Sequence, residues 1–148
     1  MAPSRAIGFE GRLPWSIPNE YAHFLRSIQG KTMVMGRKSW DVFGADAKTV
    51  ANVVITRAKS VPGATEVAPD LTRALSLAAE YGEDIFIAGG GRTYSEAIGS
   101  GQYDEIWLST VKVEVEGDVF FPALDEAQVV CVTREDHPDY FLEKWIKK

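Results

Sequence analysis

The sequence predicts an α/β fold, a mixed and mainly parallel sheet with helices on both faces and an antiparallel C-terminal portion. Three observations predict it. Compact, mostly apolar runs at Thr32 to Met35, Val50 to Thr56 and Asp84 to Ala88 each end at a polar or glycine-rich turn, as buried strands do. Stretches with helical spacing alternate with them. Towards the C-terminus, Glu105 to Val111, Gln128 to Arg134 and Tyr140 to Ile146 come one after another as strand-like runs, the pattern of antiparallel neighbours.

The helices are signalled at their ends. Pro18 suits the first turn, where its missing N–H costs nothing, and Gly30 is a stop, so a helix runs from Pro18 to about Ile28. Tyr21, Phe24, Leu25 and Ile28 share its apolar face, which places Glu20 at its beginning, near the edge of the core. Asp70 caps a second helix whose apolar stripe is Leu71, Ala74, Leu75, Leu77 and Ala78. Trp40, Trp107 and Trp145 read as packing residues. Cys131, in the apolar run Val129 to Val132, reads as a buried structural thiol.

Bulk properties narrow the function. A chain of 148 residues is one domain's length and predicts a single core over residues 1–148. With 45% apolar and 25% charged residues and a formal net charge of −5, the composition is that of a soluble globular protein. Basic residues are scattered, so nucleic acid is not expected as a partner. His23 and His137 are too few and too far apart for a metal site, and one cysteine rules out an intrachain disulfide. Neither a long apolar span nor a secretory leader is apparent, so the protein is expected to be cytoplasmic, away from membranes, and monomeric.

Three strand-to-turn junctions carry the chemistry. Ile85 to Tyr94 runs from a strand through Gly89, Gly90 and Gly91 into a helix, which exposes backbone donors and lets a pyrophosphate approach closely; a simple tight turn is the alternative. The glycine spacing is not that of a Rossmann fingerprint. The junction Gly36-Arg37-Lys38-Ser39 places two cations where a helix should begin, against its dipole, unless an anion offsets them or they are merely solvated. A third run ends at Thr56-Arg57. Arginine forks suit phosphate monoesters, so Arg37, Thr56 and Arg57 together would favour NADPH over NADH.

The most informative segment is Ile7 to Glu20, a loop shaped by glycines and prolines, with Leu13 and Trp15 available to cover a flat ligand. A desolvated Glu20 would bind an amidine-like edge through a bidentate, charge-assisted hydrogen bond; otherwise it merely complements the helix dipole.

Taken in order, Ile7-Gly8, Gly11 to Trp15, Glu20, Phe24, Met35 to Trp40, Gly89 to Gly91, Tyr94 and Glu116 to Pro122 resemble dihydrofolate reductase from end to end. The resemblance implies NADPH-dependent reduction of 7,8-dihydrofolate, or a related dihydropterin, to the tetrahydro form. It implies that Glu20 holds the pterin's amino-pyrimidine edge and that Leu13 lies in a mobile loop over the nicotinamide. Trp15 and Ser109 would organise water around the carboxylate. Ile7, Phe24 and Ala88 would line the ring pocket, and Tyr94 would lie near the nicotinamide. Gly36, Arg37, Lys38, Ser39, Thr56, Arg57, Gly90, Gly91, Arg92 and Thr93 match cofactor phosphate and ribose contacts. Asp118 matches a loop that supports the mobile one, with a plain hairpin turn as the other reading.

Two departures stand out. The family usually carries an arginine two residues before the asparagine matched by Asn52, where it clamps the substrate's glutamate carboxylate; Val50 stands there. Losing that fork weakens a folate tail by about 1.5–3 kcal/mol unless Lys48 substitutes as a less directional charge. The family also begins with a central apolar strand ahead of the segment matched by Ala2 to Gly8. No such run precedes Ala2 here, and we expect either a start at an internal methionine or another segment in its place. Two rival functions remain on this reading. One is a reductase of ribosylated aminopyrimidines, as in riboflavin synthesis; the other is a non-catalytic nucleotide-binding module.

Overall fold

A computed structural model describes all 148 residues. In chain order the elements are β1 (Ala6–Gly8), α1 (Pro18–Ile28), β2 (Thr32–Gly36), α2 (Arg37–Phe43), β3 (Ala51–Ile55), β4 (Glu66–Ala68), α3 (Leu71–Ala78), β5 (Ile85–Ile87), α4 (Gly91–Ser100), β6 (Glu105–Val111), β7 (Val119–Phe120), β8 (Val129–Asp136) and β9 (Tyr140–Lys147). They fall into two compact units, one made of Ala22–Glu96 and the other of Met1–Tyr21 with Ala97–Lys148.

The first of these units is built on a parallel sheet in the order β4-β3-β2-β5. Met33, Met35 and Val54 face a cluster with Ile28, Trp40 and Ala88, onto which Phe24, Leu25 and Phe43 pack, so α1 and α2 cover one side. Meanwhile α3 lies against β2, β3 and β4 through its buried Leu71, Ala74 and Ala78. Its start obeys the expected chemistry: the Asp70 carboxylate accepts from the Arg73 N–H at 2.8 Å. Gly30, with φ +70°, ends α1 in a conformation that disfavours side chains. The strand β5 differs from expectation, since Ile85, Phe86 and Ile87 are only half-buried. It is the edge of its sheet, so its apolar run is not enclosed on both sides as those of β2 and β3 are.

The other unit holds an antiparallel sheet in the order β6-β9-β8 and a separate antiparallel pair, β1 with β7. Its core joins Ala2, Ala6, Val111 and Tyr140, with Trp15, Ile17, Val115 and Leu142 packed around them. Two packing expectations need correction. Trp107 is 45% exposed, because its position on β6 faces outward; there its ring carries the Lys144 ammonium 4.2 Å from the centroid. Cys131 is half-buried beside a bulge between Cys131 and Thr133, and its thiol donates to the Thr133 carbonyl at 3.3 Å. Burial, then the neighbouring Glu143, push that thiol's pKa up, away from nucleophilic character. No helix is long and apolar enough to cross a membrane.

One glycine fixes how β1 and its surroundings pack. A Cβ on Gly117 would stand 2.4 Å from the Ala6 Cβ and 3.3 Å from the Gly8 carbonyl oxygen. Neither neighbour has a flexible arm to swing aside. Gly117→Ala is therefore expected to destabilise the protein by about 1–3 kcal/mol, the usual range for overpacking. Urea unfolding checks it, and adding Ala6→Gly should recover much of the loss; a single variant as stable as the parent would contradict the close approach.

Candidate functional site

In the parallel-sheet unit, the C-terminal ends of β3, β2 and β5 lie side by side. Gly36 pairs with Ile55 across β2 and β3, and its N–H donates to the Gly89 carbonyl at 2.8 Å. The segments that leave these strands are thereby gathered: Arg37-Lys38-Ser39, Thr56-Arg57 and Gly89-Gly90-Gly91. Ligands of parallel α/β sheets bind at such strand ends. Glycine is required here by space. A Cβ on Gly90 would lie 2.8 Å from the Ser39 hydroxyl, and one on Gly36 would lie 3.2 Å from the Thr93 hydroxyl. Backbone and hydroxyls thus lie close together here as a floor that only glycine permits.

Cations rim that floor. Lys38, Arg57 and Arg92 are exposed, and Arg37 is held by Asp41, its Nε donating to Oδ1 at 3.0 Å. Thr93 is buried, whereas the Thr56 hydroxyl accepts from the Ala58 N–H at 3.1 Å and so shapes its own turn. Gly91 is buried at the start of α4, and Tyr94 one turn from Gly90 donates its N–H to the Gly90 carbonyl at 2.9 Å. Ala88 and Phe24 belong to the hydrophobic cluster of this unit. Asp41 escaped the reading of the sequence, although its spacing of four from Arg37 on a helix was the signal for it.

The other unit holds the acid. Glu20, in the first turn of α1, is only 8% exposed, and its Oε2 accepts from the Trp15 indole N–H at 3.2 Å. Trp15 thus touches the carboxylate directly. The Ser109 hydroxyl is buried with no protein partner, while its carbonyl accepts from the Met1 ammonium at 2.6 Å. Burial brings that ammonium's pKa down to about 6 against the opposing pull of Glu20. The Glu20 carboxylate therefore sits in a poorly solvated setting in which each hydrogen bond counts for more.

Ahead of Glu20 the loop is folded on itself. Phe9 and Arg12 exchange backbone hydrogen bonds at 2.9 and 3.0 Å around Glu10 and Gly11, whose φ angles are +49° and +77°. Both central residues are left-handed, the signature of a type I′ hairpin turn. Asp118 holds this turn: its Oδ2 accepts from the Glu10 N–H at 2.9 Å, and its own N–H donates to the Gly8 carbonyl at 2.8 Å. Asp118 is therefore a clamp on the loop, beyond any role in a local turn. Leu13 and Ile7 are half-buried, on the loop and on β1.

Val50 is 61% exposed, with its N–H bonded to the Lys31 carbonyl. Lys48 is exposed at its place two residues before, and its carbonyl accepts from the Gly30 N–H at 2.9 Å.

The dihydrofolate reductase family model matches residues 1–142. Among curated relatives, the chain is 34% identical over 137 residues to dihydrofolate reductase type A13 of Escherichia coli, covering 91% of this chain and 81% of that protein. It is 33% identical over 139 residues to dihydrofolate reductase type 3 of Salmonella typhimurium, covering 93% and 84% respectively. With the dihydrofolate reductase of Bacillus subtilis strain 168 it shares 31% over 137 residues, 91% of this chain and 79% of the other. The buried acid, the loop that leads to it and the glycine-floored strand ends all lie inside the matched span, and the chain belongs to the dihydrofolate reductase family.

Proposed function

We propose that this chain reduces 7,8-dihydrofolate, or a closely related dihydropterin, with NADPH as reductant. The observation that carries the reading is Glu20, a carboxylate 8% exposed with one oxygen held by the Trp15 indole. Its other oxygen has lone pairs to spare for the N–H groups of an amino-pyrimidine edge. A carboxylate so buried is costly unless it meets hydrogen-bond donors, and a bound pterin supplies them.

The strand ends of the parallel sheet fit a phosphorylated dinucleotide. Gly36 and Gly90 keep the floor open to the Ser39 and Thr93 hydroxyls, backbone included, so a pyrophosphate can approach donors closely. Arg37, Thr56 and Arg57 would hold the extra phosphate that distinguishes NADPH from NADH. When bound, the cofactor supplies the hydride. Substrate gains that hydride at its imine carbon and a proton at the adjacent nitrogen. Glu20 anchors the ring and raises the nitrogen's proton affinity, with the proton arriving through water. The loop carrying Leu13, clamped by Asp118, excludes bulk solvent.

Loss of NADPH absorbance tests this directly, with dihydrofolate and with dihydrobiopterin, which lacks the glutamate tail. Both are expected to be reduced. Without a cationic fork at Val50, folate should hold less than about tenfold advantage in kcat/KM, since such a fork is worth about 1.5–3 kcal/mol. Failure to oxidise NADPH with either pterin would refute the proposal.

A further inference from the structure

We propose that Asp41 loosens the hold on NADPH by sharing Arg37 with the phosphate that NADH lacks. The inference rests on the cofactor reading above and extends it to how tightly the cofactor is kept. Arg37 opens α2, and Asp41 stands one turn later on the same side. The Nε of Arg37 donates to Asp41 Oδ1 at 3.0 Å, whereas its two terminal amino groups have no protein partner. They are free for a phosphate.

Of the cations beyond the three strand ends, Arg37 alone is ion-paired; Lys38, Arg57 and Arg92 face no carboxylate within bonding distance. The pair is solvated, with side chains 42% and 56% exposed, so it does little for folding. Its effect on a ligand is different. An anion bound by the terminal amino groups lies on the far side of the same guanidinium from Asp41 and is repelled through about one residue's width of partly hydrated space. For a phosphate of nearly two charges that repulsion amounts to roughly a threefold change in Kd at low ionic strength, shrinking as salt screens it. The pyrophosphate shared by both cofactors gives no such discrimination in this assignment. Asp41 therefore sets cofactor preference and release, with Arg37 as the group it acts through.

Asp41→Asn isolates the charge, because the amide oxygen still accepts from the Arg37 Nε. Fluorescence titration with NADPH and NADH is expected to show NADPH binding about threefold tighter in this variant at low salt, NADH unchanged, and the difference lost near 0.5 M salt. Asp41→Glu should restore the parent affinities. Weaker NADPH binding, an equal change for both cofactors, or no change at all would overturn the proposal. Arg37→Gln separates this from the underlying reading: if it weakens NADPH while Asp41→Asn does nothing, the cofactor site stands and the role of Asp41 fails. If Arg37→Gln has no effect, both fail.

Discussion

Glu20→Gln is expected to lower kcat/KM for dihydrofolate on the order of a thousandfold while leaving the Kd for NADPH unchanged. The replacement conserves shape and can still accept from the Trp15 indole, which donates at 3.2 Å in the parent, so the fold has no reason to change. What it removes is the charge. A carboxylate accepts at every lone pair, whereas an amide turns an N–H₂ towards a substrate edge that is itself a donor. The charge-assisted hydrogen bonds are lost, and the ring nitrogen loses the nearby anion that raised its proton affinity. General acid–base assistance and anchoring of this kind are worth about 10²–10⁴ in rate, or roughly 3–5 kcal/mol of barrier.

The proposed cofactor cradle draws no residue from the segment of Glu20, which is why the two constants should separate. Fold stability gives a further check. Glu20 is 8% exposed, so neutralising it removes a desolvated charge, and the melting temperature should hold or rise. Stopped-flow turnover at neutral pH with equilibrium NADPH binding on the same preparation decides the matter. Unchanged turnover would remove Glu20 from the mechanism.

The bounds of α1 were legible because both ends carry backbone chemistry: Pro18 cannot donate, and Gly30 takes φ +70°. Asp70 announced α3 for the same kind of reason, through a side chain that satisfies an N–H. By contrast β1, β4 and β7 are three, three and two residues long, too short for alternation to appear. Periodicity also says nothing about which strand ends its sheet, so β5 read as enclosed and Trp107 as packed. At the candidate site the glycine and cation junctions announced themselves locally. The Asp118 clamp on Glu10 joins residues 108 apart, and only the fold shows it as more than a turn.

Gly90→Ala is expected to raise the Kd for NADPH about tenfold to a hundredfold. In the fold itself the added methyl meets one atom, the Ser39 hydroxyl at 2.8 Å. Serine can turn that oxygen to another rotamer at a cost of about 1 kcal/mol, so the protein should still fold. The ligand cannot turn aside in this way. If the proposed cofactor site takes in this backbone, a methyl on Gly90 keeps the pyrophosphate from its donors, and displacing one or two charge-assisted hydrogen bonds costs about 1.5–3 kcal/mol.

The double variant Ser39→Ala with Gly90→Ala separates the two effects, because it removes the only close neighbour while keeping the obstacle. If the floor is where the cofactor lies, the pair should melt near the parent temperature and still bind NADPH poorly. Ser39→Ala alone supplies the reference, since the hydroxyl is itself a candidate phosphate contact. Recovery of full affinity in the double variant would mean that the methyl acted through Ser39 alone. Gly90 would then be a packing glycine, and the phosphates would have to be sought at another strand end.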